Sequence, residues 1–473
     1  MGEAVLAIDQ GTSATKAVVV LADGSVAGLA EVAIDVHASP DGAVELDPEQ
    51  LWRSVVEAGA QAMAEARHPT LAAVGLANQG ETVLAWDRNT GVPHGAAMVW
   101  QDRRAQTVCE HLSAHGPRLS HITGLELDPY FVAPKVAWLR DRVPHGLAIT
   151  TTDTWLLHRL CGAFVTDVAT AGRTLLLDLD RAEWSTEACE VFGVDPGSLP
   201  SVVGNAEPLG STSVFGGSVP VTGACVDQQA ALFAEACRAA GEAKCTYGTG
   251  AFMLASTGHR PTRSAHGLVG CPAWRIGDHI TWCLDGQVYT VGAAVSWLIE
   301  MGIMGEPADL DRLGGSVHHS AGATFVPALA GLAAPWWKPG AKAAFTGLSL
   351  GTERGHLVRA AIDGIASQVA LLAAAAGADL GAPLTTLRVD GGLTRSRTLL
   401  QVQADLLQCT VEVYPSPHAT ALGVAAFAAL GAGMDAGPGD FTPSAVVEPA
   451  IGADEAAERL AHWQAVAEAT MDR

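Results

Sequence analysis

The chain has 473 residues, 49% of them hydrophobic and 16% charged, a composition that builds sizeable cores and excludes an intrinsically disordered protein. At this length two or more domains of ordinary size are expected. Lys and Arg number 28 against 50 Asp and Glu, a net charge of −22, which argues against nucleic acid or an anionic membrane as partner. An anionic nucleotide would need local backbone donors, a lysine or arginine, and a divalent cation against that field. The nine cysteines are scattered and never form a C-x-x-C pair, which disfavours a zinc site or a disulfide framework and fits a reducing, cytoplasmic setting. The start of the chain, MGEAVLAIDQG, has no basic run before an apolar core, so nothing there marks export. The apolar stretch Ala360–Ala378 is broken by Asp363, Ser367 and Gln368, and is not expected to span a membrane.

The first predicted element is a hairpin. Apolar β-rich runs Val5–Ile8 and Ala17–Leu21 flank the polar segment Asp9-Gln10-Gly11-Thr12-Ser13-Ala14-Thr15-Lys16, which is too long for a two-residue turn. Gly11 at the bend with Thr12 and Ser13 beside it suits phosphate oxygens, and Asp9 suits a magnesium ion, directly or through water. A plain solvated hairpin loop fits the same residues. Val26–Ile34 is read as a third antiparallel strand. Asp47, Pro48 and Gln50 have the spacing of an N-cap, N1 and capping-box residue for a helix over Leu51–Ala66, with Leu51, Val55, Ala58 and Ala62 on its buried face. Strands at Leu71–Ala77 and Val83–Trp86 bracket the polar segment Asn78-Gln79-Gly80-Glu81-Thr82. Helices are expected over Ala105–Ala114, Lys135–Leu139 and Asp153–Leu160. Thr166–Leu179 is ambiguous, and 183–217, rich in Pro, Gly and Ser, reads as surface excursion.

Val219–Val226 is a strand arriving at Asp227-Gln228-Gln229, with a helix over Ala230–Ala239. Then Gly241–Leu254 (GEAKCTYGTGAFML) repeats the strand, glycine–threonine turn, strand pattern of the opening. An internal duplication is the simplest organisation: two related α/β domains, 1–238 and 239–473, meeting around a cleft. In the second half, Thr281–Gly286 and Val288–Val291 read as strands, and Ala293–Glu300 and a long apolar stretch in Thr352–Ala376 as helices. Leu387–Asp390 is a strand that ends in Gly391-Gly392-Leu393-Thr394-Arg395-Ser396 before a helix from Arg397 to Leu407. Strand, double glycine and helix N-terminus make a good anion or ribose–phosphate site, because free amides and the helix dipole converge there. Val411–Val413, Thr420–Leu430 and Asp454–Met471 complete the chain as strand, helix and helix.

Several of these segments together carry a resemblance. Ile8-Asp9-Gln10-Gly11-Thr12, Asn78-Gln79, Val99-Trp100-Gln101, Asp128-Pro129-Tyr130-Phe131 and Asp153-Thr154-Trp155 resemble, in order, motifs of the FGGY family of carbohydrate kinases, and within it the glycerol kinases. Asp227-Gln228-Gln229-Ala230-Ala231-Leu232-Phe233, Thr246-Tyr247-Gly248-Thr249-Gly250 and Val389-Asp390-Gly391-Gly392 continue the match. The resemblance implies two duplicated domains of the ribonuclease H/actin-like kind, with ATP and a sugar or polyol in the central cleft.

It implies roles as well. Asp227 matches the general base that accepts the proton of the attacking hydroxyl, a task suited to a carboxylate within hydrogen-bond reach; on local pattern alone it is equally a helix N-cap. Asp9 matches the residue orienting the Mg2+ of ATP. Thr12, Ser13 and Lys16 match the first phosphate hairpin, with Lys16 where the family often has arginine, which gives a less directional contact. Gly248 and Thr249 match the second hairpin, and Gly292, Gly392 and Ser396 the nucleoside pocket; Ser296 departs from an expected glutamine. Glu81, Trp100, Tyr130, Asp227, Gln228 and Phe252 match positions that contact substrate, with acid, amide and phenol for hydroxyls and rings for the carbon edge. Core packing is the ordinary fate of Trp100 and Phe252.

Gly80 breaks the pattern, because glycerol kinases carry arginine there. Losing that guanidinium removes donors to two hydroxyls, and Gln79-Gly80-Glu81 is also similar to kinases of longer polyols. The expected activity is phosphorylation of a primary hydroxyl of a small polyol. The alternatives are a C4–C5 polyol or ketose (erythritol, ribitol or xylulose type) and, in another class, an actin/Hsp70-like ATPase module without sugar kinase activity. No G-x-G-x-x-G follows the first strand, which disfavours a dinucleotide enzyme, and His318-His319 lack further ligands at metal spacing. Whether the chain forms a homodimer or a larger homo-oligomer is left open.

Overall fold

The computed structural model describes residues 3–434 and 439–471. The opening hairpin is β1 (Ala4–Gln10) and β2 (Ala14–Leu21), followed by β3 (Val26–Ala33). Its strands run further than the apolar pattern indicated. Asp9 pairs with Lys16 and Gln10 with Thr15 in the ladder, so the expected eight-residue polar tip shrinks to Gly11-Thr12-Ser13. Backbone pairing gains a hydrogen bond for each polar residue it absorbs, and side-chain polarity does not prevent it.

Helix α1 (Pro48–Glu65) starts as expected, with the Asp47 carboxylate accepting from Glu49 N at 2.9 Å. The capping box does not form: Gln50 reaches Asp35 instead, donating through Nε2 at 2.9 Å. Leu51, Val55, Ala58 and Ala62 are fully buried. With β4 (Leu71–Asn78), β5 (Ala206–Thr212) and β6 (Val219–Val226), the first sheet has the order β5-β6-β4-β1-β2-β3. β4 is parallel to both β1 and β6. The segment read as surface excursion therefore contributes an edge strand, β5; its Gly and Pro content fits an edge position. The Ala105–Ala114 helix is shorter than expected, covering Gln106–His111. Helix α2 spans Asp227–Ala234, so it begins at the acidic residue and ends earlier than expected.

The second sheet is built the same way. Its strands are β7 (Ala243–Tyr247), β8 (Ala251–Gly258), β9 (Val269–Ile276), β10 (His279–Val288), β11 (Thr386–Asp390), β12 (Thr410–Val413) and β13 (Ala445–Val447). The order is β9-β10-β8-β7-β11-β12-β13. In both sheets an antiparallel triplet (β3-β2-β1 and β10-β8-β7) is followed by two parallel strands, as duplication predicts. One correction falls here: the two strands expected at 281–286 and 288–291 are the single strand β10, and Gly292–Glu300 is α3.

Helix α4 (Arg354–Leu380) is long and apolar enough to cross a membrane, yet 72% of its most apolar window is buried inside the protein. Helix α5 (Arg397–Leu407) follows β11. Helix α6 (Ala419–Gly431) belongs to the second half of the chain but packs on the first sheet and on α2. A Cβ on Gly423 would lie 1.9 Å from the Ala230 carbonyl oxygen, so only glycine permits this close crossing. Phe427 of α6 stacks on Phe233 of α2 at 4.1 Å between centroids. The core thus runs continuously between the halves beneath the cleft.

Candidate active site

Two turns face each other across the cleft. The first, Gly11-Thr12-Ser13, is closed by Gly11 N donating to Ala14 O at 3.0 Å. The second, Gly248-Thr249-Gly250, is closed by Gly248 N donating to Gly250 O at 2.9 Å, and the amides of Val291 and Ala293 both donate to Thr249 O at 3.0 Å. Gly292 stands behind this second turn; a Cβ there would lie 2.5 Å from Gly248 O. The start of α3 thereby holds the turn in place.

Between the turns lies a cavity of about 170 Å³. Thr12, Ser13, Gly248 and Thr249 of the two turns line it, together with Asp227 and Gln228. Gly80, Glu81, Trp100, Tyr130 and Phe252 form the remaining wall expected from the sequence. Trp100 packs edge-on against Tyr130 and Phe252, with centroids 5.8 and 6.0 Å apart. Its indole N–H donates to Thr12 Oγ1 at 2.9 Å, tying the first turn to the aromatic wall. The buried Lys135 donates to the backbone oxygens of Tyr130 and Phe131, which pins the loop carrying Tyr130. Glu81 is held at φ +57°, a left-handed conformation that costs a non-glycine residue roughly 1–3 kcal/mol and aims its carboxylate inward.

Asp227 is the first residue of α2; the N-cap position belongs to Val226. Its Oδ1 accepts from Gln228 N at 2.7 Å, and its second oxygen is left for the cavity. Burial, reinforced by the charges of Asp9 and Glu81 and opposed by Lys244, pushes its pKa up to about 7. Burial, with Lys16 opposing and Asp390 reinforcing, pushes Asp9 up to about 6. Asp390, at the end of β11, is raised by burial as well, and its Oδ1 has no hydrogen-bond partner. Lys244 is fully buried and donates to Gln228 Oε1 at 2.6 Å and Thr246 Oγ1 at 2.8 Å. Among the described residues, no three His, Cys, Asp or Glu side chains are arranged to hold a metal by themselves.

Asp9, Lys16, Gly292, Gly392 and Ser396 lie outside the cavity lining. Asp9 remains within electrostatic reach of Asp227. Lys16 is half-buried, 3.9 Å from Glu31, and still acts on Asp9. Gly392 has open space around it. The free helix N-terminus expected at Ser396 is a correction. Ser396 Oγ donates to Asp311 Oδ1 at 2.9 Å, and Thr398 N donates to the same carboxylate at 2.8 Å. A carboxylate from 85 residues earlier thus occupies the α5 dipole site, because an anion of the chain itself satisfies those amides as well as a phosphate does.

The principal omission of the sequence reading is Arg173. It lines the cavity, donates through Nε to Glu81 Oε1 at 2.6 Å and lies with Nη1 2.6 Å from Asp285 Oδ2. All three side chains are buried. Burial works against the guanidinium's charge, but Asp285 and Glu81 outweigh it and hold its pKa well above the usual value. The site therefore does contain a guanidinium beside Glu81, supplied from a distance rather than by residue 80. Arg173 lies in the ambiguous 166–179 segment and Asp285 within β10, and neither has a local pattern that marks it.

Residues 4–234 match the N-terminal domain, and residues 243–432 the C-terminal domain, of the FGGY family of carbohydrate kinases. The chain is 40% identical to a glycerol kinase of Bordetella parapertussis over 98% of this chain and 97% of that one. It is 41% identical to a glycerol kinase of Thermus brockianus over 91% and 90%. Among solved structures it is similar to Plasmodium falciparum glycerol kinase with ADP, with a TM-score of 0.90 and 29% identity over 99% and 98% of the two chains. A xylulose kinase of Rhodospirillum rubrum shares the fold, with a TM-score of 0.87 and 22% identity over 100% of both chains.

Proposed function

The chain belongs to the FGGY family of carbohydrate kinases, and from that premise we propose that it transfers the γ-phosphoryl group of ATP to a primary hydroxyl of a polyol of three to five carbons, with Asp227 as general base. Glycerol-kinase-like, ATP-dependent phosphorylation of an alcohol is the activity of its relatives at 40% identity. The observation that carries the finer reading is that Asp227 shares one cavity with both phosphate turns and with the Glu81–Trp100–Tyr130–Phe252 wall. A nucleotide-only switch has no use for that wall.

In this reading Thr12, Ser13, Gly248 and Thr249 cradle the phosphates with hydroxyls and amides. Glu81, Gln228 and the Tyr130 hydroxyl orient the polyol, while Trp100 and Phe252 cover its carbons. Asp227 takes the proton of the attacking oxygen, and a base near neutrality does this efficiently. Because Gln228 Oε1 accepts from Lys244, its amide nitrogen is the end left to donate to a substrate oxygen.

Asp9, with the unpartnered Asp390 oxygen nearby, fits a Mg2+ ion that arrives with the nucleotide and is completed by phosphate oxygens and water. When bound, such an ion neutralises charge on the transferring phosphoryl group. The halves 1–238 and 239–473 serve as the two jaws, one phosphate turn on each. A coupled ADP-release assay across C3 to C5 polyols and ketoses tests the reading. Polyol-dependent ADP formation supports it, and polyol-independent hydrolysis would instead point to an ATPase module.

A further inference from the structure

Lys244 lies on β7, in the second half of the chain, and is fully buried. Withdrawing an ammonium from water is unfavourable unless its donors and its charge are used. Burial raises the pKa of four carboxyl groups, Asp227, Glu235, Asp285 and Asp390, and the charge of Lys244 pulls each of them back. Its Nζ donates to Thr246 Oγ1 at 2.8 Å on its own strand and to Gln228 Oε1 at 2.6 Å on α2. The second bond joins the two halves of the chain, and it ends on a residue that lines the cavity.

The polarity of that contact is fixed by chemistry. An ammonium has three donors and no acceptor, so a side-chain amide meets it only through its oxygen. Turning the Gln228 amide over would set its N–H groups against those of Lys244. Gln228 therefore enters the site as a donor. The neighbouring groups make this polarity matter. Glu81 and Asp227 line the same cavity, and ionised carboxylates only accept. A polyol whose hydroxyls give their protons to Glu81 and Asp227 still has oxygen lone pairs to fill, and only donors fill them. An amide free to turn over would also present its oxygen, adding a third acceptor beside two carboxylates.

We propose that Lys244 is a positioning residue of the acceptor site, locking the Gln228 amide so that its nitrogen donates to a substrate oxygen. This rests on the polyol-kinase reading above and deepens it. Lys244 is not part of the cavity lining; it acts on the acceptor through Gln228. Its loss is felt as weaker acceptor binding rather than as slower phosphoryl transfer.

The test is steady-state kinetics at saturating MgATP with glycerol, erythritol, ribitol and xylitol, the variants being assayed on whichever of the four turns over fastest. Lys244→Met keeps the side-chain length but removes its donors and charge. It should raise the acceptor KM about tenfold, the scale of one good hydrogen bond. At pH 9, well above the Asp227 pKa of about 7, kcat should stay within about threefold of wild type, the signature of lost uniform binding. Gln228→Met should raise KM similarly. Adding Lys244→Met to it should change KM by less than about twofold, because the amide to be positioned is gone. Gln228→Glu keeps an oxygen for Lys244 but has no N–H, so it should also raise KM about tenfold, and it decides the matter should Lys244→Met fail to fold. An acceptor KM unchanged by Lys244→Met in a folded protein, effects that multiply in the double variant, or a KM unchanged or lowered by Gln228→Glu would overturn the proposal while leaving the kinase reading intact. No polyol-dependent turnover with any of the four would overturn the kinase reading itself.

Discussion

The absence of arginine at position 80 invites its restoration, and the structure states what that costs. Gly80 is not in the left-handed region, so its backbone accepts a side chain. A Cβ there, however, would lie 3.0 Å from Val226 Cγ2, well inside the ~3.5–4.0 Å of ordinary carbon contact. Forcing extra atoms into such a site costs about 1–3 kcal/mol. A guanidinium that hydrogen-bonds a glycerol hydroxyl would return about 1.5–3 kcal/mol. The two nearly cancel, so Gly80→Arg alone should leave glycerol kcat/KM within a few-fold of wild type. Val226→Ala removes the obstructing methyl, and the Gly80→Arg/Val226→Ala pair should then gain about tenfold or more, since ~1.4 kcal/mol is one decade. The readout is a double-mutant cycle in kcat/KM for glycerol, with an expected coupling of at least ~1 kcal/mol. A full gain from Gly80→Arg alone would show that Val226 yields freely. No gain in the pair would show that the cleft does not place a guanidinium on the acceptor.

Asp227→Asn should leave ATP binding and thermal stability close to wild type while lowering kcat by about 10²–10⁴; near-normal turnover would place the base elsewhere. With Asp227 raised to about 7, kcat/KM of the free enzyme should fall about tenfold per unit below neutrality, and a profile flat down to pH 5 would refute the assignment. Asp153 is buried beside Asp167, which together with burial pushes it up to about 7. A folded pKa above the unfolded value stabilises the protein at low pH, and that stability is lost as pH rises through about 7. Asp153→Asn should therefore raise the melting temperature at pH 8 relative to wild type and leave it nearly unchanged at pH 4, as thermal scans at both values will tell. Arg173→Gln strands Glu81 and Asp285 as unpaired buried carboxylates, and an unfolding titration should show a loss of about 3–5 kcal/mol. A loss below 1 kcal/mol would mean that solvent already reaches them.

Some structural features are local properties of the chain, and these were legible in the residues. Apolar alternation around Gly11 and Gly248 marks two strand–turn–strand units. Asp47-Pro48 starts a helix, and Arg397–Leu407 is helical over the bounds that its periodicity indicates. The identity of Asp227 as an acid at a strand–helix junction is equally local. What the local pattern misjudged was how far backbone pairing reaches: Asp9 and Lys16 look like turn residues but sit in the ladder, because strand pairing depends on main-chain donors and acceptors, which side-chain polarity does not remove.

The sequence by itself determined the two strand–turn–strand units and the acid at the strand–helix junction, since each follows from contacts between near neighbours. Only the tertiary structure decided the chemistry around the acceptor. Glu81 and Arg173 are 92 residues apart, and Asp285 joins them from the opposite sheet. Asp311 reaches the N-terminus of α5 from 85 residues away, and Val226 blocks position 80 through the packing of one strand end against another loop. A buried charge takes whichever partner the sheets bring within reach, and no periodicity in the chain encodes which one that is.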